Sequence, residues 1–217
     1  TLTIAKDATA TVKNGTLIGG TDFYTIQNNG TATFGDVTAT AGNTGSSMLD
    51  NWGTLTIKSG SYSGGLNVVK SEEDSKLTIN GGKFELSYAV NNSRTAVIWA
   101  FGETEITDGE FVNSATTPKW AYPQVVLTGE VTGHLPSSTK ISGGTFTNKH
   151  QNANAGIFYG LSPATSANFE VTGGTFNKKV PDSYLADGFI CVKGADGTYG
   201  AAMAIAQVGS SKYTSLQ

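Results

Sequence analysis

Residues 141–146 read Ile-Ser-Gly-Gly-Thr-Phe, and thirty positions later residues 171–176 read Val-Thr-Gly-Gly-Thr-Phe. Weaker copies of this hexad precede it, namely ITDGEF at 106–111, INGGKF at 79–84, IKSGSY at 57–62, FGDVTA at 34–39 and VKNGTL at 12–17. Successive copies start 22 to 35 residues apart. Internal periods of this length are typical of solenoids, so the chain is predicted to stack copies of one unit.

Each hexad is predicted to turn a corner. Its first and sixth residues are apolar in all seven copies, yet an odd separation on a straight strand would point them to opposite faces. The third position always holds a turn former, and the fourth is mostly glycine, which tolerates positive φ. A hexad therefore reads as a strand, a corner and the start of another strand, and no helical period is visible.

These patterns predict an all-β fold, a right-handed parallel β-helix of about seven coils. Like residues of successive coils would then lie about 4.8 Å apart in internal columns. One column takes the sixth hexad residues, which are Leu17, Ala39, Tyr62, Phe84, Phe111, Phe146 and Phe176. The other takes the first residues, which are Val12, Phe34, Ile57, Ile79, Ile106, Ile141 and Val171.

The repeat stops after Phe176. The Asp196-Gly197 pair between two apolar runs predicts a β-hairpin that covers the end of the helix. We therefore divide the chain into a parallel β-helix at 1–180, a hairpin cap at 181–204 and a separate C-terminal segment at 205–217. Cys191, the only cysteine, is expected to be a buried and inert thiol of the hairpin.

Composition narrows the functional classes. The 217 residues carry a net charge of −3 with 14% charged residues and one arginine, so the basic stripe that nucleic-acid binding requires is missing. The sequence has no apolar run of membrane-spanning length, and we expect no membrane insertion. Residues 1–4 already read as a strand, which suggests a piece of a longer protein.

The hexads ISGGTF and VTGGTF, the segment VPDSYLADGFICVKGADGTYG at 180–200 and AIAQVGSSKYTSLQ at 204–217 resemble modules of large repetitive surface proteins of gut-type bacteria. Such modules are pectin-lyase-like right-handed β-helices with Gly-Gly-Thr-Phe coils. The resemblance implies a secreted, adhesin-like module at the bacterial cell surface, with other modules of the same chain as neighbours and with residues 205–217 as a linker or lead-in to a following module. We expect the module to be monomeric. It brings no catalytic motif.

Two other functions remain open. Parallel β-helices also host polysaccharide lyases and glycoside hydrolases, and hydrolysis requires two carboxylates about 5–9.5 Å apart. Glu103, Glu105 and Glu110 are the nearest such cluster, although a solvated face is the ordinary interpretation, as it is for the acidic run at 72–74. A lyase would need a base such as Arg94 beside cation-binding acids. A segment of a trimeric phage fibre is the third possibility. The sequence assigns no catalytic residue, metal site or cofactor.

Insertions at 112–124, 130–138 and 147–155 are predicted to project from one or two lateral faces of the solenoid, towards a glycan or a host protein. Trp120 and Tyr122 lie in the longest insertion between two prolines, where aromatic rings can stack on a sugar. The competing interpretation is that Trp120 packs down as the core of its own loop. His134 and His150 lie in the other two insertions and are the remaining ligand-binding candidates, both expected on exposed loops.

Overall fold

The computed structural model describes residues 1–89 and 95–215, which form an all-β protein with strands numbered β1 to β23 in chain order. Seven strands, all paired in parallel, form the smaller of two long sheets. They are β1 (Leu2–Ile4), β3 (Ile26–Asn28), β5 (Leu49–Asn51), β8 (Asn67–Ser71), β11 (Ala96–Ala100), β14 (Gln124–Gly129) and β17 (Phe158–Leu161).

The larger sheet is folded at the long strand β4 (Thr31–Thr40), which also pairs with β2 (Thr9–Ile18). The first half of β4 continues in parallel into β6 (Thr54–Ile57), β9 (Lys76–Ile79), β12 (Glu103–Ile106), β15 (Ser138–Ile141) and β18 (Phe169–Val171). The second half continues into β7 (Ser61–Ser63), β10 (Lys83–Leu86), β13 (Glu110–Asn113), β16 (Thr145–Asn148) and β19 (Thr175–Phe176). Long parallel sheets of this kind are consistent with a β-helix.

Both predicted internal columns are confirmed by the strand registers. In the column of sixth hexad residues, Tyr62 pairs with Phe84, Phe84 with Phe111, and Phe111 with Phe146. Their rings are stacked with centroids 4.8–5.1 Å apart and planes within 11° of parallel. From Phe34 onward, the column of first hexad residues is also in register and buried. These columns form the hydrophobic core.

In the five hexads from residue 57 onward the predicted corner is a break between two strands, whereas β2 and β4 run through the first two hexads without a break. Gly82 has φ +106°, a region that only glycine adopts easily, and it separates β9 from β10. A Cβ atom at Gly82 would lie 3.1 Å from the carbonyl oxygen of Gly60, the equivalent glycine one repeat earlier. The glycines at the fourth hexad position therefore allow both the sharp turn and the close stacking of neighbouring turns.

The predicted hairpin is also observed. Strands β20 (Phe189–Lys193) and β21 (Tyr199–Met203) pair antiparallel, and β21 pairs antiparallel with β19 at the end of the larger sheet. Cys191 is only half-buried, contrary to expectation, because β20 is the edge strand of that sheet. Two further strands, β22 (Ala206–Val208) and β23 (Ser211–Tyr213), form a short hairpin where a linker was expected.

Helical structure in the described residues is limited to the 3₁₀ turns Ser166–Asn168 and Asp182–Tyr184. Neither has the length and apolar character needed to cross a membrane.

Candidate functional site

The insertion after β13 and the insertion after β16 lie against each other and form the candidate site. Side chains of the second insertion and its flanks bond to the backbone of the first. The Asn152 amide donates to the Lys119 carbonyl at 3.4 Å, and the Asn148 amide donates to the Pro123 carbonyl at 2.9 Å. Gln124 spans both loops, because its amide donates to the carbonyls of Tyr122 and Asn154, each at 2.8 Å. These contacts fix the path of the first loop.

Trp120 is held on the outside of this braced loop with 62% of its surface exposed. Trp120 lies in a turn of this loop, which is closed by the Ala121 N–H donating to the Pro118 carbonyl. The small core of the loop is formed by Ala121 with Ala89 and Ala115, so Trp120 does not fill it. The competing interpretation from the sequence is therefore wrong, and the indole is free to contact a partner. Tyr122 is half-buried beside it.

The sequence predicts that His150 lies on an exposed loop, but the structure places it beneath the Trp120 loop. Only 1% of its surface is exposed. Its Nδ1 accepts from the Asn152 N–H at 3.2 Å, so Nε2 carries the proton and donates to the Pro118 carbonyl at 3.1 Å. Two insertions of similar length stack here, and the ring fills the space between them. The side chain braces the loop and leaves no surface for a ligand.

His134 occupies the insertion after β14, where it is exposed and forms an ion pair with Asp74 at 2.8 Å. Asp74 also accepts the Leu135 N–H at 2.9 Å, and this backbone bond, followed by the His134 bond, lowers the pKa of Asp74. The bond to Asp74 raises the pKa of His134. The pair ties this insertion to the corner after β8. No hydrogen bond between the described residues joins His134 to the Trp120 loop.

Two of the three acids considered for catalysis are paired with lysines. Glu103 and Glu110 form ion pairs with Lys76 at 2.9 Å and Lys83 at 3.6 Å, and Glu105 lies in register between Thr78 and Lys140. An open cleft along the glycine corners is lined by Asp36, Asp108 and Glu110, of which Glu110 forms the ion pair with Lys83. Exposed acids that are paired with lysines, such as Glu103 and Glu110, are typical of a solvated face.

A closer carboxyl pair lies on the smaller sheet, where sequence reasoning placed only a solvated acidic run. Glu72 is buried and forms an ion pair with Lys70, and the carboxylate of the fully buried Asp50 contributes to raising the pKa of Glu72. Burial raises the pKa of Glu72 to about 7, against the opposing effect of Lys70. Trp52 Nε1 donates to Asp50 Oδ2 at 2.7 Å. Both carboxyl groups are buried, so a substrate cannot reach them.

The described residues contain no cluster of three or more histidine, cysteine or acidic side chains placed to hold a metal ion. Arg94, the base that a lyase would have required, lies outside the described residues. Comparison with protein-family models, with curated proteins and with solved structures gave no match to the chain.

Sequence reasoning missed the residues that hold the loops. Gln124, Asn148 and Asn152 are ordinary polar residues in the sequence, yet each bonds to backbone about 25–33 positions away. The available signal was the number of residues between the bonded partners, because it matches the distance between successive hexads in this part of the chain.

Proposed function

We propose that the chain is one right-handed parallel β-helix of about seven coils and serves as a stiff, non-catalytic module of a secreted bacterial surface protein. The smaller sheet is crossed seven times, and each crossing is followed by strands of the larger sheet in the same order. In this proposal the hairpin at 181–204 caps the helix, and residues 205–217 lead to a neighbouring module. The likeness of the hexads to pectin-lyase-like surface modules supports the same assignment.

We further propose that the module is adhesive and that its lateral loops bind a glycan or a host surface protein. The observation that carries this proposal is Trp120, a large apolar side chain exposed on a loop whose backbone is held at four carbonyls by buried or bridging side chains. A platform fixed before binding loses little conformational entropy when the partner arrives. Exposed aromatic residues of this kind often dominate the energy of an interface.

The test is binding of the purified chain to immobilised glycans and host surface proteins. Trp120→Ala should abolish the strongest signals, whereas Phe23→Ala removes another exposed aromatic ring, far from the loops in sequence, and should leave them unchanged. Binding that survives Trp120→Ala would contradict the adhesive role of this loop. Release of reducing or unsaturated sugars from a bound polysaccharide would contradict the non-catalytic role.

A further inference from the structure

Three segments in and next to the Trp120 loop contain lysine and no acidic residue. Residues 114–123, 149–157 and 177–180 together hold four lysines and no aspartate or glutamate, although acids outnumber lysine and arginine by 17 to 14 in the whole chain. The lysines are Lys119, Lys149, Lys178 and Lys179. On a chain of net charge −3, this makes the Trp120 surface locally cationic.

Hydrogen bonds join the three segments into one surface. The first two meet where the Asn152 amide donates to the Lys119 carbonyl. The third joins them through Lys178, whose ammonium donates to the carbonyls of His150 at 2.8 Å and Ala155 at 2.7 Å. Partial burial lowers the pKa of Lys178. Its ammonium group is already occupied by these two hydrogen bonds. We call the exposed Trp120, Lys119, Lys149 and Lys179 the lysine patch.

The three lysines of the lysine patch keep their charges available. Among residues 1–89 and 95–215, no acid forms an ion pair with Lys119, Lys149 or Lys179, whereas four other lysines are paired with glutamates. Among the described residues, the acid hydrogen-bonded to this region is Glu85. One of its carboxylate oxygens accepts the hydroxyl of Ser114 at the base of the loop. The patch therefore combines an exposed indole with unneutralised ammonium groups.

This combination selects a class of ligand. An indole face can pack on the apolar face of a sugar ring, and ammonium groups form charge-assisted hydrogen bonds with carboxylate or sulfate. Single-stranded nucleic acid is less well matched, because such sites use a series of stacking aromatic side chains along a basic groove. We infer that the lysine patch binds an acidic glycan, one that carries carboxylate or sulfate groups. This inference rests on the proposed glycan binding by the lateral loops.

The experiment measures binding of the whole chain to four probes: hexagalacturonate, a heparin hexasaccharide, cellohexaose and a short oligothymidylate. Measurements are made at about 50 mM and about 300 mM salt, because salt screens exposed charges. Three variants are compared with the unmodified chain. One is Trp120→Ala. The second carries Lys119→Gln, Lys149→Gln and Lys179→Gln. The matched control carries Lys6→Gln, Lys13→Gln and Lys58→Gln, which remove the same charge from exposed sites elsewhere.

We expect an acidic saccharide to bind, and the uronate and heparin probes show whether carboxylate or sulfate is recognised. The triple variant of the patch and the higher salt should each weaken binding about tenfold, and the control variant should not. Cellohexaose binding as tightly as the acidic probes, without dependence on salt, would overturn this inference but retain glycan binding. Tighter binding of oligothymidylate would also overturn the inference. Failure of all three saccharides would overturn this inference, whereas the adhesive proposal fails only if the immobilised glycans and host surface proteins also show no binding.

Discussion

Replacement of Phe84 by alanine tests the stacked column that the fold depends on. The side chain is 1% exposed, and its ring lies between Tyr62 at 5.1 Å and Phe111 at 4.9 Å. Truncating a buried phenylalanine costs about 3–5 kcal/mol, and each stacked pair is worth about 0.5–1.5 kcal/mol beyond burial. We expect the upper half of that range, about 4–5 kcal/mol, because the ring loses contacts on both sides and the strands cannot collapse into the space.

Urea unfolding followed by circular dichroism gives this free energy by linear extrapolation. Phe84→Leu keeps most of the apolar volume but loses the stacking, and it should cost about 1–2 kcal/mol. Phe23→Ala is the control, because Phe23 is 72% exposed and its loss should change stability by less than about 0.5 kcal/mol. A Phe84→Ala variant within about 1 kcal/mol of the Phe23→Ala variant would refute the stacked column.

Two further changes test the corner and the buried carboxyl pair. Gly82→Val should lower the free energy of unfolding by about 2–4 kcal/mol in the same urea assay, because valine resists positive φ and its Cβ would press on the Gly60 carbonyl. Gly20→Val is the control, because a side chain there meets open space and should leave stability nearly unchanged. The pKa of Glu72 is about 7 in the folded chain and 4.5 when unfolded. The free energy of unfolding should therefore fall by up to about 3 kcal/mol as the pH rises from the unfolded to the folded pKa. Glu72→Gln should remove this loss relative to the unmodified chain; equal pH slopes from 5 to 8 would contradict the burial argument.

The columns were predictable from sequence because a parallel stack repeats one chemical environment at every turn. Phe84, Phe111 and Phe146 occupy the same hexad position, and their pairing follows from that position alone. The hairpin was predictable for a different reason, because the Asp196-Gly197 turn is a local signal. Both predictions depend on residues close in sequence or on an exact repeat.

The loops were not predictable, because their conformation is decided by residues of another turn. Whether Trp120 or Ala121 packs inward depends on the loop path, and that path is set by His150 and Asn152, more than thirty residues later. The same reason hid the burial of Glu72. Lys70, the ion-pair partner of Glu72, pairs in register with Trp99 of β11 and lies over its ring, so this contact comes from the next turn of the chain.

The separations of these contacts suggest how the loops and the repeat depend on each other. His150 bonds to Pro118 and Asn152 to Lys119, and these pairs are 32 and 33 residues apart. The hexads that precede the two loops are 35 residues apart, as are Asn113 and Asn148, which are hydrogen-bonded to each other inside the structure. Because parallel pairing brings equivalent points of neighbouring turns together, an insertion is best supported by another insertion one turn later. The Trp120 loop is therefore fixed by its neighbour of similar length. Shortening residues 149–155 should loosen the backbone of the Trp120 loop as much as a change within that loop would.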